Sequence, residues 1–163
     1  MEFEGFIKID GIPGESTDDK HKDWIELVSF SHGMHQAASQ TKSSAGGASA
    51  GRTEHADFHI AKLIDKASPL IYQACSSGKH LKDVTVEFCR AGGDKVKFME
   101  IKMEEVMVSS VSPQGGGSNF PSDNISFNYG KIKWTYTQQK RADGSGGGNT
   151  TGGWDLTKNK IQS

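Results

Sequence analysis

Only one stretch of this 163-residue chain reads as a helix, and that dictates the rest of the architecture. In Ala67 to Gly78, Ser68 is placed to cap with its hydroxyl, and Pro69 falls at the first helical position, where no N–H is needed. Gly78 suits the left-handed residue that closes a helix, and Lys79 and His80 suit its negative end. Leu70, Ile71, Ala74 and Cys75 fall on one face. A helix of about three turns does not stand alone in water. Nearly everything else alternates with period two, so a β-sheet must cover that face.

The strands carry changes of phase. Phe6 to Ile9 is a first short strand, ended by the turn residues Asp10 to Gly14. Glu15 to Asp23 is polar throughout and reads as a solvated loop, available for a charged contact with another subunit. Trp24 to Met34 is a long strand in which Ile25 and Leu27 give way to Val28, Phe30 and Met34, so a bulge is expected near Leu27-Val28. Its other face carries Ser29, Ser31 and Gly33, a bland side that either lines a wet channel or is simply exposed. Ala37 to Gly51 has no apolar period and forms the tip of a hairpin that projects from the body. Beyond it, Ala56, Phe58 and Ile60 alternate with Asp57 and His59.

After the helix, Val84, Val86 and Phe88 lead to a tight turn at Ala91 to Asp94. The partner strand, Lys95 to Val111, changes parity between Phe98 and Met99. Ser112 to Asp123 and Arg141 to Gly153 read as loops, on their Gly, Ser, Asn and Pro. Between them, Ile125, Phe127 and Tyr129 share a face, and Ile132, Trp134 and Tyr136 continue it if Gly130 supplies a bend. Trp154 to Leu156 is a final short strand or anchor. The chain contains 20 glycines, about 12% against a usual 7%, and they gather at breaks and loops, which favours an all-β scaffold with long connections over disorder. Long strands bent at bulges describe a barrel or two tightly packed sheets, with the helix plugging or flanking it.

Charge and motifs exclude several function classes. A net charge of -1 gives no footprint for nucleic acid or an anionic membrane. No apolar run is long enough for membrane insertion, and Met1 to Gly5 lacks the pattern of a cleaved signal peptide. Two cysteines, Cys75 and Cys89, make no disulfide framework and are expected as reduced packing residues. His32 and His35 point to opposite faces, and His55 and His59 lie about 13 Å apart along a strand, so no metal site is expected. The Gly-rich segments lack the order of a phosphate cradle, and Asn149-Thr150-Thr151 is a chance sequon without a leader. No catalytic constellation and no cofactor is expected.

Several stretches together carry a resemblance. They are Phe6-Ile7-Lys8-Ile9, Gly14-Glu15-Ser16, Ser29 to Met34, Ile64 to Pro69, Ala74 to Lys79, Arg90 to Asp94, Val106 to Val111, Trp134-Thr135-Tyr136 and Gly153 to Leu156. In this order the chain resembles the haemolysin-coregulated protein (Hcp) family, the tube component of the bacterial type VI secretion system. The resemblance implies one domain over residues 1–163. It also implies a mainly β fold: a β-barrel formed by two packed sheets, one short flanking α-helix and a long protruding hairpin loop. It implies a structural subunit, not an enzyme, whose homo-hexameric rings stack into a tube inside a contractile sheath, behind a VgrG-like spike protein. Effectors travel in the lumen, and the protein passes from the bacterial cytoplasm to the outside without a cleaved signal. On that basis Ser29 and Ser31 are expected to face the lumen and its effectors. Lys42, Ser43, Ser44, Gly46, Gly47 and Arg52 are expected in a ring-stacking loop. The competing expectation is a monomeric β-barrel that binds a small ligand or glycan.

Overall fold

The computed structural model describes residues 2–38, 50–92, 95–139 and 146–162. In chain order the elements are β1 (Phe3–Ile9), β2 (Ile25–Leu27), β3 (Ser29–Ser31), β4 (Met34–Ala38), β5 (Ala50–His55), β6 (Phe58–Leu63), α1 (Ser68–Ser77), β7 (His80–Arg90), β8 (Lys97–Gly116), β9 (Asn119–Asn128), β10 (Lys131–Gln139), β11 (Gly146–Asp155) and β12 (Lys160–Ile161). The expected mainly β fold with one flanking helix is observed. Ten strands form one sheet, and β4 and β5 form a separate two-stranded sheet.

The 20-residue strand β8 organises the body. Its first half runs between β7 and β10, and its second half pairs with β9. The expected shift at Phe98 is present: Phe88 faces Met99, but Cys89 faces Lys97. A second change of parity falls at Glu105, whose φ is +55°, so the core residues pass from Ile101 and Met103 to Val106 and Val108. The chain from β9 to β10 follows β8 along its whole length and bends at Gly130, as its apolar pattern requires. Ile125, Phe127, Tyr129 and Ile132 reach the core, while Tyr136, at the far end, is exposed.

The pairing curls this sheet back on itself. From β1 the neighbours are β2, then, past Val28, β3, β6, β9, β8, β7 and β1 again. Val28 is the break expected there, and its N–H donates to the Ala61 carbonyl at 2.8 Å. The space inside is filled by Ile7, Ile25, Phe58, Val84, Val86, Met103 and Phe127, all essentially without solvent contact. The helix α1 lies against β8 and buries Ile71 and Ala74. Leu70 and Cys75 lie at the edge of that contact, Leu70 being exposed and Cys75 half-buried. Gly78 closes α1 at φ +67°, as expected.

Four expectations are corrected. Ser68 is inside α1 and does not cap it; Ala67 is the capping residue. The Ser68 hydroxyl is instead buried, donating to Asp123 Oδ2 (2.6 Å) and accepting from Lys62 Nζ (2.9 Å) and the Asp65 N–H (3.1 Å). Ser112 to Asp123 is not a loop: β8 and β9 continue as a ribbon to a turn at Gly117, because ladder bonds hold Gly- and Pro-containing backbone that has little strand propensity of its own. Gly146 to Gly153 is a strand for the same reason, held by β10. Glu15 to Asp23 is a tied strap over β1 and β7. His21 stacks on Phe6 at 4.1 Å, and its two ring nitrogens meet Asp18 (2.6 Å) and Glu87 (2.9 Å). Among the described residues no helix is long and apolar enough to cross a membrane.

Candidate functional site

The bland face expected on β3 extends across four strands. Antiparallel pairing places Ser31, His59, Ser126 and Ser110 in one row. The next row, two residues along, holds Ser29, Ala61, Asn124 and Ser112. These eight side chains are small or polar and include no carboxylate, lysine or arginine. They line an open depression of about 550 Å³. Ser110 and Ser126 share a hydrogen bond at 2.7 Å, and Ser126 and His59 Nδ1 share one at 2.9 Å. The opposite side of the same strands carries Ile60 and Ile125, which are buried. Period two therefore divides four strands into a greasy inner face and a hydroxyl-rich outer one.

Ser29 and Ser31, the two residues singled out from sequence, belong to this face. His59, Ser110, Ser112, Asn124 and Ser126 were missed. The alternation of small polar residues at 110 and 112, and again at 124 and 126, is the signal that could have found them. The loop-like composition of 112–123 hides it.

The second notable cluster stands at the root of the β4–β5 arm. Each leg gives one histidine, His32 before β4 and His55 at the end of β5, and both bond the hydroxyl of Tyr129, each at 2.6 Å. Trp134 lies 6.5 Å from the His32 ring and 6.3 Å from that of His55. Burial, then the neighbouring His55 and His59, pulls His32 down to about 4. Burial also lowers His55, and burial with the Asp57 carboxylate raises the Tyr129 phenol. Sequence spacing gave no hint that His32 and His55 meet, because a 74-residue separation joins the arm to Tyr129.

Of the residues assigned to a stacking loop, Lys42, Ser43, Ser44, Gly46 and Gly47 lie outside the described residues. Arg52 is on β5, exposed, and donates from Nη2 to the Leu156 carbonyl at 3.2 Å. Both cysteines are unpaired. Burial pushes the Cys89 thiol up to about 11, which disfavours a reactive thiolate. The pair Ser126–His59 lacks the acid of a triad: among the described residues no carboxylate bonds its second nitrogen.

Comparison with known proteins converges on one family. A family profile described as type VI secretion system effector, Hcp, matches residues 6–136. Protein hcp1 of Pseudomonas aeruginosa is 36% identical over 161 residues, covering 98% of each chain. The major exported protein of the same organism is 25% identical over 132 residues, covering 76% of this chain and 74% of that one. A solved structure of a type six secretion system protein superposes with a TM-score of 0.91 at 35% identity, covering 99% of this chain and 100% of that one.

Proposed function

Because this chain belongs to the Hcp family of the type VI secretion system, we propose that six copies close into a ring, that rings stack into a tube, and that the face carrying Ser29 and Ser31 lines the lumen. The observation that carries this reading is the two-row face of eight small or polar side chains on four adjacent strands. A channel that passes varied cargo needs walls without greasy anchors or fixed charge, since buried aromatic and charged residues are what hold a partner tightly. The secreted effectors are the cargo. The spike protein and the contractile sheath are the tube's partners at its tip and around it. Export of this chain is supported by its likeness to the major exported protein. A structural role, not a catalytic one, is supported by membership of this family.

A closed ring needs two different patches per subunit. Exposed Val28, Leu63 and Phe120 border one depression, which Glu15, Glu26 and Asp65 also line, and supply apolar material for such a patch. The small-ligand reading is the weaker one, because the interior of the curled sheet is filled by buried side chains. Native mass spectrometry tests the ring: a hexamer is expected, and a monomer at high concentration overturns it. Ser31→Trp and Ser112→Trp, both on exposed positions, test the lumen. The ring mass is expected unchanged while co-expressed effectors are no longer retained; unchanged retention removes the lumen assignment.

A further inference from the structure

The β4–β5 arm shares no ladder with the main sheet among the described residues. Its root is held by side chains, and the most enclosed of these contacts is the Tyr129 hydroxyl, which bonds one imidazole from each leg. A phenol has one hydrogen to give. The chain is therefore directional: one imidazole N–H donates to the Tyr129 oxygen, and the Tyr129 O–H donates to the lone pair of the other. Both imidazoles are neutral in this arrangement. A proton on the accepting nitrogen points N–H at O–H and removes the acceptor of the hydroxyl of Tyr129, a residue only 4% exposed. A proton on the donating ring leaves the bonds intact but puts a charge among Phe58, Trp134 and the second imidazole.

We propose that His32, Tyr129 and His55 form a proton-operated clasp, which holds the arm against the body while both imidazoles are neutral and releases it in acid. The other titratable groups around it are His59, Asp57, His80, Lys82 and Glu105. His59, on β6, opposes charge on His32, and Asp57, which precedes β6, opposes ionisation of Tyr129. His80, Lys82 and Glu105 share a surface depression with Tyr129. The lowered value of His32 sets the window. The clasp is complete above the ordinary imidazole value of 6.5 and is lost as pH falls from there toward about 4. Between pH 7 and pH 5 the released form gains roughly twentyfold from His32 alone. The clasp does not depend on the tube reading; if the arm reaches the next ring, acid would also loosen stacking.

Hydrogen–deuterium exchange of the full-length protein at pH 7 and pH 5, corrected for intrinsic exchange, reads the clasp directly. Amides of 32–38 and 50–57 are expected to exchange at least tenfold faster at pH 5, while those of β7 stay unchanged. Tyr129→Phe, which keeps the ring and loses the hydroxyl, is expected to exchange fast at both pH values. His32→Gln, which can still donate and accept but does not titrate, is expected to lose most of the pH response, and it decides the matter if Tyr129→Phe does not fold. Native mass spectra of the same samples separate loss of stacking from opening of the arm. Equal corrected rates at both pH values, wild-type behaviour in either variant, or parallel loosening of β7 overturns the proposal.

Discussion

Lys62 and Asp123 are both fully buried, 3.2 Å apart, and neither stands alone. Lys62 also reaches Asp65 at 2.7 Å, and Asp123 also accepts from Ser68 and from the Tyr72 hydroxyl at 2.5 Å. Burial pushes the Asp123 carboxyl up, but the bonds from Ser68, Tyr72 and Lys62 outweigh it and hold it below its usual value. Removing one partner of such a pair strands the other. Asp123→Asn is expected to cost about 3 kcal/mol in urea unfolding. At the surface end of the strap, Lys95 and then His21 hold Asp18 at about 2, against an ordinary 3.8. A carboxylate lowered in the folded state stabilises above its unfolded value and loses that contribution as pH falls through the folded one. Denaturation midpoints are therefore expected to fall between pH 4 and pH 2, and Asp18→Asn is expected to flatten that fall.

The strap itself depends on Gly14. A Cβ there would meet the Trp24 carbonyl oxygen at 2.5 Å and Ile25 Cγ1 at 2.6 Å, and the first of these is backbone that cannot step aside. Gly14→Ala is expected to destabilise by about 3 kcal/mol, read as a shifted urea midpoint with an unchanged slope. Much of the element order was legible in the sequence. The helix bounds follow from Pro69 and Gly78, and the break at Val28, the parity shift at Phe98 and the bend at Gly130 follow from which positions are apolar. The strap was misread because its burial comes from His21, a polar residue whose partners lie on its own turn and on β7. The β8–β9 ribbon and β11 were misread because their composition is that of loops and only a neighbouring strand makes them extended. The polar face was half legible: parity marks Ser29 and Ser31, but its other rows need the register of β6, β9 and β8.

At the scale of the molecule, one curled sheet supplies both a dry interior and a wet, hydroxyl-bearing exterior, and the β4–β5 arm is set apart from it. Deleting Ser43 to Ser49 is expected to leave the ring mass intact, less the deleted residues, and to abolish long tubes in electron micrographs; tubes of normal length would show that the segment is not needed. Among the described residues the arm's two strands pair only with each other, so the register of the main sheet places no demand on their sequence. Substitutions that keep β4 paired with β5 and leave His32 and His55 on Tyr129 are therefore expected to leave the ladders of the main sheet intact.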